Sequence, residues 1–326
     1  MDVIRGWHGS EAGEGSARTC GASAALGNFD GVHRGHQALL AAARKAAPGA
    51  PLAVVSFEPH PRRFFQPDAA PFRLTSAEAR PRVLASLGVE RLYALPFDRA
   101  LAAMSPEAFA RDVLAEGLGL GHVVVGADFH FGKGRAGTAQ MLAELGQRFG
   151  FGVTIEPMRG GPGGAFSSTA IRQALRTGHP VAAARALGRW HGISGRVAQG
   201  DRRGRELGYP TANLDFGEQL VPAFGVYAAR VTVHEGPHAG RHDGVASIGE
   251  RPTFGYNKPN FEVHLFDFAG DLYGAEITAE LIAFLRGEER FDSIAALVAQ
   301  MDRDSVEARA ALAAAGEPWR EEGDLR

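Results

Sequence analysis

Short apolar runs alternate with amphipathic stretches through the first half of the chain. Residues 22–26 predict a strand, then a turn, then a helix over 36–47. Residues 52–57, LAVVSF, read as a buried strand, and 92–95 as another short one. Thr75 and Glu78 have the spacing of a capping box, which predicts a helix start there. Ser105-Pro106-Glu107 predicts a second start, with a cap, a proline at the first helical position and an acid in the first turn. Further strands are expected at 122–125 and 153–156, and helices at 139–149, ending on Gly150, and at 168–176. The glycine-rich stretch 160–164 reads as a mobile loop. This alternation implies a parallel sheet with helices on both faces.

The rhythm changes near Gly188. Short β-like runs follow at 193–198, 226–233, 245–248, 261–268 and 277–284, separated by turn formers. They predict a small sandwich or barrel, closed by a helix over 293–302. The expected fold class is therefore α/β plus β, with domains at 1–187 and 188–326. The length of 326 residues suits two domains, and a 45% hydrophobic content allows each its own core.

A formal net charge of −2 argues against a general nucleic-acid binder. The one cysteine, Cys20, forms no intrachain disulfide and no Cys-rich metal site, and fits a reducing, cytoplasmic location. The N-terminal residues hold no long apolar run, so no signal peptide is expected, and no stretch approaches the roughly 20 apolar residues of a membrane span.

Residues 26–36 read LGNFDGVHRGH, between a predicted strand and a helix. Gly27, Gly31 and Gly35 let backbone pass close to a ligand. The helix N-terminus suits phosphate, and His33 and His36, three apart, can both face it. The plain alternative is a strand–helix turn with two incidental histidines. The segment resembles the nucleotidylyltransferase superfamily, and GNFDGVHRGH resembles its FAD synthetase module. FEPHPRRFF at 57–65 and FRLTS at 72–76 support the same resemblance. So do VGADFHFGKGRAGT at 125–138 and SSTAIR at 167–172. It implies a Rossmann-like N-terminal domain, with ATP held by Gly27, Asn28, Phe29, Asp30, Gly31, His33, His36, Ser167, Ser168, Thr169 and Arg172. Asp128, Phe131, Lys133 and Arg135 would serve FMN and phosphate. Two departures stand out. Ala165 and Phe166 precede SST where many relatives carry a basic residue, and Asp128 stands where some have Asn.

Residues 200–214 read GDRRGRELGYPTANL, a segment whose glycines and arginines alone could be a solvated turn or a basic nucleic-acid loop. As a whole it resembles the riboflavin kinase pattern GxGRGxxLGxPTAN, with Arg202 in place of the second glycine. The resemblance implies ATP binding by Gly200, Arg203, Gly204, Gly208, Pro210, Thr211 and Asn213. It also implies Mg²⁺ at Thr211 and Asn213, Glu262 as general base, and Arg286 and Phe291 beside the flavin. Without it, Glu262 would be an outward charge on an alternating strand; His264 reads as structural. GVASIGERPTF at 244–254 and FEVHLFDFAGDLY at 261–273 fit the same module.

The similarity runs over about residues 3–304 and identifies the chain as a member of the bifunctional riboflavin kinase/FAD synthetase family. Its implied partners are riboflavin, FMN and ATP, the last as co-substrate. Three other readings compete: a kinase with a weakened synthetase module, a non-enzymatic flavin- or nucleotide-binding regulator, and a transferase acting on pantetheine phosphate.

Overall fold

The computed structural model describes residues 1–7, 21–161, 164–199, 204, 207–250 and 259–317. Its apolar runs become six parallel strands: β1 Asp2–Arg5, β2 Ser23–Leu26, β3 Leu52–Glu58, β4 Arg91–Pro96, β5 His122–Gly126 and β6 Gly152–Glu156. The sheet order is β1-β4-β3-β2-β5-β6. Both faces are covered, which explains why these strands lack polar alternation. Ala25, Leu52, Val54 and Leu92 pack under helices α1, Arg34–Ala46, and α2, Ala79–Ser86. Ala24, Val55, Tyr93 and Val125 face the helical stretch from Pro106 to Gly117 and α3, Ala139–Phe149.

Local chemistry sets several ends. Ser105 caps Pro106 onward with its hydroxyl accepting from the Ala108 N–H, and the helix then continues in wide π-type turns to Gly117. Gly150 stops α3 in the left-handed conformation, at φ 86°.

The chain divides into two compact units, one of residues 1–69 and 77–166, the other of 70–76 and 167–326. Helices α4, Ser168–Arg176, and α5, Pro180–Leu187, belong with the second unit because Ile171, Leu175, Ala183 and Leu187 share a cluster with Leu74 and Leu220. Residues 70–76 join that unit through backbone bonds, with Arg73 N–H donating to the Glu218 carbonyl at 2.9 Å and Leu220 N–H to that of Arg73 at 2.8 Å.

This accounts for a corrected helix start. Thr75 is buried in the 70–76 segment and does not cap α2; Glu78 occupies the cap position and its side chain makes no capping bond. The 160–164 stretch also differs from expectation: Gly160–Gly161 pairs antiparallel with Gly164–Ala165.

The second unit carries an antiparallel sheet of β7 His191–Arg196, β8 Ala212–Leu214, β9 Gly225–Val233, β10 Gly240–Glu250, β11 Pro259–Leu265 and β12 Glu276–Arg286. Its order is β7-β12-β9-β10-β11-β8, and an Ala198–Asn213 bridge joins its two edges, closing a small barrel. Inward side chains such as Tyr227, Ile248, Phe261, Val263 and Leu281 fill it. The predicted closing helix starts at its Ser293 cap but runs well past 302, as α6, Ile294–Ala314, with Ala308 and Leu312 packed on Ala228 and Ile282.

Two candidate active sites

The first site grows from the end of β2. There the chain order reverses, with β3 on one side and β5 on the other, which is where open α/β sheets bind ligands. Gly27 to His33 form one tight turn that leads into α1. Phe29, Gly31 and Val32 all adopt left-handed φ values, of 50°, 83° and 41°. Such strain persists only where packing enforces it; Phe29 and Val32 are fully buried in the core. The Asn28 carbonyl accepts from Ser56 Oγ at 3.0 Å and from the buried Arg80, which also pairs with Glu58 at 3.0 Å. Sequence reading missed Ser56 and Arg80, which lie outside the motifs; Glu58 belongs to the segment FEPHPRRFF.

His33 is the N-cap of α1, and its Nδ1 accepts from the His36 N–H at 3.4 Å. The ring proton therefore sits on Nε2, where it can be donated. His33 stacks on His36 at 3.8 Å between centroids, and His36 on Phe29 at 4.7 Å. Both imidazoles are thus held at a helix N-terminus, an arrangement suited to a growing phosphate charge. A Cβ on Gly35 would come 3.0 Å from the His33 ring, so any larger residue there would press on that imidazole.

The loop after β5 leaves the same end of the sheet. Asp128, Lys133 and Arg135 on it are exposed, and Gly132, Gly134 and Arg135 take left-handed φ. Phe131 has a different place: it is buried in the core against Phe129 and Phe109, so its ring serves packing. Ala165 is exposed, and Phe166 receives the Arg34 guanidinium over its ring at 5.5 Å, which brings a cation to this stretch.

In the second unit, Ser167 caps α4 by accepting from Ala170 N–H at 3.2 Å. Ser168 is partly buried and Thr169 exposed at the helix start. Arg172 donates through Nε to the Phe72 carbonyl at 2.8 Å and lies over the Phe72 ring, so it ties the FRLTS and SSTAIR segments together.

The second site lies on the outer face of the barrel. Direct cross-strand partners share a face, and the register gives one row: Asn213 opposite Glu262, Glu262 opposite Ser247, Ser247 opposite Val226, Val226 opposite Arg286. This row spans β8 to β12. Glu262 Oε2 accepts from Thr211 Oγ1 at 3.3 Å and Oε1 from Asn260 Nδ2 at 2.7 Å. His264 holds the entering loop by donating Nδ1 to the Pro210 carbonyl at 2.8 Å, which is a structural task. A Cβ on Gly204 would collide with the Tyr209 carbonyl oxygen, and Gly208 sits at φ 83°. Gly200 and Arg203 lie outside the described residues. Tyr209 hydrogen-bonds Asp302 of α6; burial, then that bond, raises its pKa.

At the other end of the row, Val226, Ser247, Arg286, Phe291, Ile294 and Leu297 line a cleft of about 620 Å³, within the range of small-molecule sites. Arg286 makes a two-pronged pair with buried Asp304, at 2.9 and 2.7 Å, and lies over the Phe291 ring at 5.7 Å. The bond to Asp304 raises the Arg286 pKa above its ordinary value. Gln300 in turn donates to Asp304 at 2.8 Å. Asp304 escaped sequence reading, since an Asp on a helix is ordinarily solvated. Asn260, two positions before Glu262 on an alternating strand, could have been found from that spacing.

Thr211, just before β8, contacts Glu262, and Asn213 on β8 lies opposite Glu262; both carry oxygen donors of the kind a hard cation takes alongside phosphate and water. Among the described residues no His, Cys, Asp or Glu cluster offers a competing metal site.

Comparison with known proteins follows this division. A family model described as FAD synthetase matches residues 16–170, and one described as riboflavin kinase matches 187–312. The bifunctional riboflavin kinase/FMN adenylyltransferase of Escherichia coli (strain K12) is 41% identical over 312 residues, 95% of this chain and 97% of that protein. That of Pseudomonas fluorescens is 42% identical over 316 residues, 96% and 98%, and that of Bacillus subtilis (strain 168) 38% over 293 residues, 87% and 90%. A crystal structure named as a macrolide-efflux protein from Streptococcus pneumoniae is 32% identical, covers 95% of this chain and 99% of its own, and superposes with a TM-score of 0.81. Among the described residues of the present chain, no helix is long and apolar enough to cross a membrane. With both halves matched in order and near-full-length relatives at about two-fifths identity, the chain belongs to the bifunctional riboflavin kinase/FMN adenylyltransferase family.

Proposed function

We propose that the two sites act in succession on one flavin, as the family's name implies: the barrel phosphorylates riboflavin to FMN, and the β2–α1 turn helps adenylylate FMN to FAD with release of pyrophosphate. ATP is co-substrate for both steps. The observation that carries the kinase assignment is the contact of Glu262 with Thr211, a carboxylate beside the PTAN segment.

The kinase nucleophile is a neutral ribityl alcohol. Glu262 accepts its proton as the oxygen attacks the γ-phosphorus and ADP departs. Thr211 and Asn213 would hold Mg²⁺, which neutralises phosphate charge when bound. Arg286 and Phe291 contribute to the flavin side of the cleft.

The adenylyl step starts from a phosphate already anionic and needs no general base. It needs alignment on the α-phosphorus and charge stabilisation at the leaving pyrophosphate. His33 and His36 supply Nε2–H and ring donors at the α1 N-terminus. Lys133 and Arg135 are the cations assigned to phosphate on the loop after β5, and Ser167, Ser168 and Thr169 the hydroxyls assigned to the triphosphate. ATP dependence and the lone cysteine support a cytoplasmic location, and the charge balance supports the absence of a nucleic-acid partner.

Incubation with riboflavin and Mg-ATP, with FMN and FAD followed by chromatography, tests the reading. Both products are expected in that order, and neither appearing overturns it. Supplying FMN directly tests the alternative of one live site, motivated by Ala165 and Asp128.

A further inference from the structure

A carboxylate on an open strand face turns almost freely about its last bond, and a general base works only with one oxygen held toward its proton. On β11 the odd positions Phe261, Val263 and Leu265 point into the barrel, so Asn260, Glu262 and His264 share the outer face. The Asn260 amide reaches along the strand to Glu262 Oε1 at 2.7 Å, while Oε2 meets the Thr211 hydroxyl at 3.3 Å. Only the NH₂ end of the amide can face a carboxylate oxygen, so the chemistry also sets how the amide is turned.

Resting on the assignment of Glu262 as base, we infer that Asn260 is a positioning residue for the kinase step: by binding Oε1 it decides which carboxylate oxygen is presented beside Thr211, where the nucleotide loop enters β8. Asn260 touches neither reacting atom. Its part is to save the transition state the cost of orienting the carboxylate, so its loss acts on turnover more than on substrate binding.

The test is kinase kinetics on the full chain with riboflavin and Mg-ATP. Asn260→Ala lowers kcat by about 10- to 100-fold, the worth of one charge-assisted hydrogen bond, with both KM values within about twofold of wild type. Asn260→Asp is nearly isosteric but sets a carboxylate against Glu262 across that 2.7 Å contact, so it falls below Asn260→Ala. A packing role would give the reverse order, with Asp nearest to wild type. In a Glu262→Gln background, Asn260→Ala adds less than about threefold, since the group it orients is no longer a base. Thermal melting checks the fold, and Asn260→Asp decides the matter if the alanine variant melts early. If Glu262→Gln itself turns over at the wild-type rate, the base assignment falls and this inference with it. If Glu262→Gln is slow while Asn260→Ala keeps the wild-type kcat, or Asn260→Asp outperforms Asn260→Ala, the positioning role alone is overturned.

Discussion

Gly35→Ala separates stability from activity at the adenylyl site. An added Cβ would lie 3.0 Å from both Cε1 and Nδ1 of His33 and 3.2 Å from the Phe166 carbonyl oxygen, where ordinary contact begins at 3.4 Å. The His33 ring must give by about 0.4 Å. It cannot slide freely, because it is stacked on His36 at 3.8 Å and His36 is stacked on buried Phe29. Catalytic groups have to be held within about 0.5 Å, and a 1 Å misplacement costs on the order of 10²-fold. A shift of about 0.4 Å then lowers FAD formation by about sixfold, taking the loss as exponential in displacement. Alanine meanwhile favours helix by up to about 1 kcal/mol over glycine, which offsets the strain and leaves the melting temperature near wild type. The assay is FAD production from supplied FMN and Mg-ATP, with FMN production from riboflavin as the internal reference. A folded variant that makes FAD at the wild-type rate would refute the idea that this glycine exists to place His33.

Four further outcomes are expected. His36→Ala cuts FAD formation by about 10²–10³-fold and leaves FMN formation intact; equal loss of both in a folded protein argues against two separate sites. Thr211→Val keeps the side-chain shape and removes an oxygen, so the kinase step alone loses rate and needs more Mg²⁺, which a Mg²⁺ titration reads directly. Glu262→Gln slows FMN production by about 10²–10⁴-fold while FAD still forms from supplied FMN; an unchanged kinase rate returns Glu262 to an ordinary strand charge. Acid destabilises the second unit through His191. Burial, reinforced by the Arg189 charge, lowers its pKa from 6.5 to about 3. The unfolded chain therefore binds the proton first, so stability is intact above pH 6.5 and is lost as pH falls toward 3. By pH 5 this amounts to about 2 kcal/mol, read as a urea midpoint that His191→Leu no longer moves with pH.

Sequence pattern reached the layer order and both motifs because each rests on local rules. Strands covered on both faces such as β3 lack polar alternation, with Ser56 and Glu58 only at its end, and the turn from Gly27 to Gly31 announces itself by its glycines. What stayed hidden depends on distant chain. Thr75 has the residue type and spacing of a cap, yet bonds with residues 218–220 tie its segment to the second unit. Phe131 sits inside a recognised motif, but two neighbouring phenylalanine rings, Phe109 and Phe129, account for its position. Arg172 has the charge for a phosphate, while its Nε is given to the Phe72 carbonyl. The holders of Asn28 and Arg286, namely Ser56, Arg80 and Asp304, come from other elements and carry no local signature.

The placement of residues 70–76 bears on how this gene could be cut or rearranged. The polypeptide passes from one unit to the other at 69/70, back at 76/77 and over again at 166/167. No single scission can therefore release two intact pieces. A truncated kinase beginning at residue 188 would discard Leu74 together with α4 and α5, and would leave the nearly inaccessible Leu220 without the partners that cover it. A stand-alone kinase of this design would need new apolar cover at that spot, and a protease that nicks the 70–76 segment would weaken the barrel unit rather than the unit whose sequence surrounds the cut.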